Sequence, residues 1–126
     1  MDIRKMEKAV IAALEDIKAR DIVVLKVAHL TPLFERMIIA SADSTRQVKA
    51  LADNVQEKLK ALGAQVLSTE GEQTGEWVLV DLGAIVVHVM QPAIRRYYDL
   101  EELWNHPEPR RPRARKKPVE TKSAAG

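Results

Sequence analysis

The stretch "WVLVDLGAIVVHVM" (residues 77–90) sets a tryptophan, an aspartate and a histidine among aliphatic side chains. A carboxylate beside an imidazole is two-thirds of a Ser/His/Asp hydrolase, in which the carboxylate orients the ring and the ring takes the hydroxyl proton. The nucleophile is not supplied. Ser41 and Ser44 are the candidates, neither stands in a G-x-S-x-G turn, and Ser44 is better used as a helix cap. Metal chemistry fares no better. His29, His88 and His106 fall on different elements, no pair has the i, i+4 spacing of a helical site, and there is no cysteine. The glycines at 63, 71, 75, 83 and 126 form no phosphate loop. Glu70, Glu72 and Glu76 crowd one polar loop that reads as a solvated turn. The expectation is therefore no catalytic group, no metal and no cofactor, with His88 a hydrogen-bonded structural residue.

The 126 residues suffice for one domain with a real core. The start, "MDIRKMEKAV", is charged throughout and has no apolar segment of a secretory signal, and no run reaches the length of a membrane span. With no cysteine, a reducing cytoplasm is the expected setting. The net charge of +2 hides an asymmetry. Residues 107–126 hold seven Lys/Arg and two Glu, while the other 106 residues hold 13 Lys/Arg and 16 Asp/Glu. The body is mildly acidic and only the tail is basic, so the chain does not read as a nucleic-acid-binding domain. The tail has too few apolar residues to offset its ordering entropy, and the reading is a folded domain over 1–106 followed by a disordered basic tail over 107–126. A weak, salt-sensitive contact with RNA is the tail's sharper reading.

The elements that must position Trp77, Asp81 and His88 follow from periodicity. Ile3, Met6, Val10, Leu14 and Ile17 form one helical stripe, capped by Asp2. "DIVVLKV" (21–27) and "ERMIIAS" (35–41) read as strands, antiparallel because the connection is short. Ser44 with Gln47 forms a capping box before the stripe Val48, Leu51, Ala52, Val55, Leu59, Leu62, and Gly63 stops that helix. "QVLS" (65–68) reads as a short edge strand and 69–76 as a loop. After Pro92, "AIRRYYDLEELW" is helical or two short helical turns with Asp99 as a cap between them. The sum is an α/β fold with a mixed five-stranded sheet, two main helices on one face and a short C-terminal helical segment.

Strand alternation sorts the opening stretch into two faces. A hairpin tip at Leu82–Gly83 pairs Asp81 with Ala84 and Trp77 with His88. One face then carries Val78, Val80, Ile85, Val87 and Val89, a core face. The other carries Trp77, Leu79, Asp81, Val86, His88 and Met90, a mixed patch of the kind found at protein interfaces. Three outcomes stay open: the C-terminal residues Tyr97, Tyr98, Leu100 and Trp104 partly cover this face, it stands exposed as a docking patch, or it is fully buried as ordinary core.

The runs "DIVVLKV", "LTPLFERMIIASADSTRQVKALAD", "EG" (70–71), "GEWVLVDLGAIVVHVM" and "RRYYDLEELW" together resemble the ribosomal silencing factor (RsfS, or Iojap) family over about residues 3–105. The most specific parts are Ser-Thr-Arg-Gln-Val at 44–48, the Trp77, Asp81, His88 pattern and the ending over 95–104. The resemblance implies a fold related to nucleotidyltransferases but without their active site, since "SADS" and "ERM" supply neither a Gly-Ser nor a D-x-D pair for magnesium. It implies a non-enzymatic factor that binds the large ribosomal subunit through large-subunit ribosomal protein fourteen, blocks joining of the small subunit, and represses translation when nutrients are scarce. On that reading Trp77 is an apolar anchor, extended by Met90 and Leu100. Asp81 and Glu70 meet cationic partner side chains, Tyr98 and Arg95 shape the patch or touch the partner, and His88 and Ser44 support it. A nucleotidyl-transfer enzyme, an rRNA-gripping assembly module and a homodimer formed through the apolar face are the other readings.

Overall fold

The structure, a computed structural model, describes residues 1–105. The expected boundary at 106 and the basic tail lie outside the described residues. In chain order the elements are α1 (Ile3–Asp16), β1 (Arg20–Lys26), β2 (Arg36–Ser41), α2 (Thr45–Ala61), β3 (Ser68–Glu70), β4 (Trp77–Asp81), β5 (Ile85–Met90), α3 (Pro92–Tyr98) and α4 (Leu100–Trp104). The strands form one mixed sheet in the order β1-β2-β5-β4-β3. Neighbours are antiparallel except β2 and β5, which run parallel in the centre. The mixed five-stranded α/β fold expected from the sequence is the fold observed.

The helical stripes do what their spacing demands, except that Leu62, expected to end the α2 stripe, is the C-cap and stands exposed. Met6, Val10, Ala13 and Leu14 of α1 and Val48, Leu51, Ala52, Val55 and Leu59 of α2 are buried against one face of the sheet. Ile38, Ala40, Val78, Val80, Ile85, Val87 and Val89 meet them from the strands. Each Val, Leu, Ile or Met among them contributes roughly 1.5–3 kcal/mol on the transfer scale. Polar side chains then tie the two helices together. Asn54 Nδ2 donates to the Ala13 carbonyl at 2.8 Å, and Gln47 Nε2 donates to the carbonyls of Ile17 and Lys18 at 3.1 and 3.2 Å. These satisfy oxygens that the end of α1 leaves without an intrahelical donor.

Capping is local and legible. Asp2 accepts from the Arg4 amide, and Ser44 Oγ accepts from the Gln47 amide at 3.1 Å. The box is not closed as expected, because Gln47 Oε1 accepts from Asp43 N, not from Ser44 N. Helix α2 ends in a Schellman arrangement. Gly63 has φ +93, its amide donates to Lys60, and the Ala64 amide donates to Leu59.

Two expectations about the strands also need correction. The edge strand is Ser68–Glu70 rather than 65–68, so Thr69 and Glu70 belong to the sheet and not to the loop. Its position is set by pairing with β4, since "STE" has little to recommend it as a strand on its own. The β4–β5 hairpin is also shifted by two residues: Trp77 pairs with Met90, Leu79 with His88 and Asp81 with Val86. The Asp81 side chain accepts from the Gly83 amide at 2.8 Å, and Leu82 N donates to Ile85 O. Gly83, at φ +88, takes the position that Leu82 would occupy only with strain. A shift of two preserves the faces, so the core assignment survives the register error.

The loop before β4 depends on a second glycine. Gly71 has φ +88, and a Cβ there would lie 2.0 Å from the Trp77 carbonyl oxygen. Gly63 has a similar φ with open space around it. Gly63→Ala should therefore cost roughly 1–2 kcal/mol from backbone strain alone. Gly71→Ala should cost more, about 2–4 kcal/mol, because strain and backbone collision combine. Urea unfolding of the two variants checks the order, and equal costs would contradict the close approach.

Candidate functional site: the second face of the sheet

The sheet face away from α1 and α2 is covered by α3, α4 and the loop before β2. Leu25, Val27, Met37, Ile39 and Met90 form its buried floor, with Phe34, Trp77, Ile94, Leu100 and Trp104 packed over them. Arg95 fastens this layer. Its guanidinium donates to Ser41 Oγ at the end of β2 and to Glu101 Oε1 on α4, both at 2.7 Å. Between the two short helices Asp99 takes a left-handed φ of 47, a conformation Asp tolerates better than most residues, and this turns α4 back onto the sheet. No side-chain cap hydrogen bond from Asp99 starts α4.

His88 is the polar residue at the centre of the face. It is 5% exposed, and burial pushes its pKa down to about 4. Trp77 Nε1 donates to His88 Nδ1 at 2.9 Å. The neutral ring therefore carries its proton on Nε2. Trp77 and His88 are diagonal neighbours across β4 and β5, not the directly opposed pair expected. Tyr98 packs against Trp77 with ring centroids 4.9 Å apart, and Tyr97 meets Tyr98 edge-on at 5.0 Å. Tyr97 is 81% exposed and Tyr98 52%, so an aromatic chain runs from a buried histidine out to solvent.

Beside this chain lies a cleft of about 490 Å³. Phe34, Leu79, Leu100 and Trp104 supply apolar walls, Leu33 stands 79% exposed at it, and Glu70 and Asp81 bring carboxylates. Phe34 and Trp104 pack at 5.5 Å. Of the expected docking residues, the structure brings Asp81, Glu70 and Leu100 together in the cleft wall, with His88 also lining it. Trp77 and Tyr98 stand together next to it, and Trp77 lines a smaller hollow with Glu70 and Leu79. Met90 is a correction: it is fully buried beneath the cover, so it supports the patch from below rather than extending its surface. Arg95 has both ends committed within the chain, which favours shaping over direct contact. Ser44 caps α2 on its own and is no part of the cleft. Sequence reading missed Phe34 and Leu33. The signal was an apolar pair after Pro32 in a short loop, which must either pack on a neighbour or stand exposed, and here does one of each.

Among the described residues no group of three or more His, Cys, Asp or Glu is arranged to hold a metal ion, and no helix is long and apolar enough to cross a membrane. The open question about the second face resolves as partial cover. The floor is buried, while Tyr97, Tyr98, Leu33 and Leu103 remain exposed around it.

Fold and site together define a small mixed-sheet α/β domain, with two helices on one face and an aromatic, acid-bearing cleft on the other. The chain belongs to the ribosomal silencing factor family: the family model described as "Ribosomal silencing factor during starvation" matches residues 1–126. It is 56% identical over 109 residues to the ribosomal silencing factor RsfS of Chromobacterium violaceum, covering 86% of this chain and 89% of that one. It is 41% identical to the RsfS of Haemophilus influenzae, covering 72% of this chain and 89% of that protein. A crystal structure of a Chromobacterium violaceum protein, 55% identical, superposes with a TM-score of 0.82 and covers 87% of this chain and 92% of its own.

The buried histidine predicts a pH dependence. The unfolded ring titrates near 6.5 and the folded one near 4, so between these values the unfolded chain binds a proton that the folded chain does not. Stability should fall as pH drops from about 6.5 to 4, by on the order of 3 kcal/mol, and this contribution should level off below that. Denaturation of His88→Gln across the same window should lack this component, and an unchanged slope would contradict it. Removing the fastener should loosen the cover selectively. Arg95→Leu should raise amide exchange in α3 and α4 while leaving α1 and α2 protected, and cost about 1.5–3 kcal/mol. Uniform loosening would contradict a local clamp.

Proposed function

We propose that the chain binds the large ribosomal subunit through this second face. The partner on that reading is large-subunit ribosomal protein fourteen, and the bound factor stands where the small subunit would join. Translation is then held off by steric exclusion during starvation, with no bond made or broken, so the chain is not an enzyme. It acts in the cytoplasm, where the two subunits meet. The observation that carries the reading is the Trp77–Tyr98–Tyr97 chain beside a cleft with apolar walls and two carboxylates. Large aromatic anchors beside acidic groups suit a partner that presents cationic side chains on an apolar surface. Family membership supports the ribosomal setting, since the two relatives described above are named ribosomal silencing factors.

In this arrangement Trp77 and Tyr98 make the apolar contact, and Glu70 and Asp81 meet cations. Leu100 forms part of the wall, while Met90, His88 and Arg95 hold the face in shape. Ser44 contributes only through the stability of α2. The basic stretch over 107–126 adds a weak contact with ribosomal RNA, carried by its seven Lys/Arg against two Glu. Off the ribosome a second copy of the chain is the competing occupant of the same face.

Co-sedimentation with purified large subunits tests the reading. Trp77→Ala and Tyr98→Ala should each weaken binding, Trp77→Ala by about 2 kcal/mol or more, roughly 30-fold. Tyr98 is half exposed, so its variant guards against loss through misfolding. If both variants keep the parent's circular dichroism and bind as tightly as the parent, the face is not the docking surface.

A further inference from the structure

We propose that in the free protein residues 107–126 dock back on the second-face cleft, their cationic side chains lying between Trp104 and the carboxylates of Glu70 and Asp81. Three observations meet at this place. The first is where the described chain ends. Helix α4 finishes at Trp104, which is itself a wall of the cleft and packs on Phe34. The remaining segment therefore starts at the rim. From Asn105 to Arg110 is a reach of up to roughly 17 Å when extended, more than enough to cross a cleft of about 490 Å³.

The second observation is charge. Residues 107–126 carry seven Lys/Arg and two Glu, against an acidic body. Apart from the neutral His88, the ionisable residues lining this cleft are Glu70 and Asp81, both acids. The adjoining hollow beside Trp77 shares Glu70 with this cleft, while hollows elsewhere differ. The cleft between β1 and α3 contains Arg95 and Arg96 as well as acids, and the groove between α1 and α2 contains Lys58. The third observation is wall chemistry. Arg and Lys lay aliphatic stems along apolar surface and keep their charged ends at carboxylates, and guanidinium groups stack on aromatic faces such as Trp104.

Tethering strengthens the argument. A covalently attached segment experiences an effective concentration of about millimolar, so contacts too weak to hold a free peptide suffice. Prolines at 107, 109, 112 and 118 reduce the conformational entropy lost on ordering. A basic partner that docks on the same cleft would have to displace the segment. That consequence rests on the docking reading above, whereas the internal contact does not.

The test uses the full chain without ribosomes, so its outcome is independent of that reading. The chain has no native cysteine, and Ala114→Cys takes a single nitroxide label. At low salt the amide signals of Leu79, Asp81, Val86 and Leu100 should lose more than about half their intensity, unchanged on tenfold dilution, and recover at about 0.5 M salt, where ion pairing is screened. Glu70→Gln with Asp81→Asn should restore the signals at low salt, and the asparagine keeps an acceptor for the Gly83 amide. Equal broadening on the α1–α2 face, or no response to the paired substitution, would overturn the proposal. Loss of broadening on dilution would also overturn it, by assigning the contact to a second copy.

Discussion

Strand β5 is buried along its whole length, from Ile85 to Met90, and the architecture is organised around that condition. It lies parallel to β2 on one side and antiparallel to β4 on the other, so its backbone groups are paired within the sheet. Its side chains alternate, and both sides need cover. Ile85, Val87 and Val89 face α1 and α2, an ordinary aliphatic core. Val86, His88 and Met90 face the other way, and helices too short to stand alone must return to cover them. The long helices follow from the first requirement, and the folded-back C-terminal segment follows from the second.

The buried polar residues Ser41 and His88 both adjoin this second layer. Each is met by a partner that fixes an element. Trp77 donates to His88 and so locks the orientation of the indole on β4. Arg95 donates to Ser41 and to Glu101, and so locks α3 and α4 to the end of β2. An apolar cover alone could slide. A buried acceptor left unpaired costs about 1–3 kcal/mol, which gives the cover one preferred position. Burial is what keeps His88 neutral. A proton on Nδ1 would face the Trp77 N–H donor to donor, so titration of the ring would disturb the orientation of Trp77 directly.

Much of this was legible in residue types and spacing. Alternation assigned every strand residue of 77–81 and 85–90 to its correct face, and helical periodicity located both long helices with their caps. The hairpin register was not legible, because it turned on an Asp81 side chain closing a turn with Gly83, a contact invisible to hydrophobic pattern. Strand β3 was misplaced because "QVLS" looks more like a strand than "STE", while the sheet selects whatever can pair with β4. The parallel pairing of β2 with β5 joins residues some 50 apart and leaves no local trace. Met90 could not be recognised as buried without knowing that Ile94, Leu100 and Trp104 return over it. The resemblance to a family supplied the ribosomal reading, and neither spacing nor composition would have done so.

A face whose floor is buried and whose rim exposes Tyr97, Tyr98 and Leu33 beside two carboxylates is suited to receive a basic, partly apolar surface. Hydrogen–deuterium exchange of the full chain, with and without purified large ribosomal subunits, tests that most directly. The account predicts added protection in β4, at 77–81, and across 97–104, with α1 and α2 unchanged. Protection confined to α1 and α2, with none at β4 or α4, would contradict it.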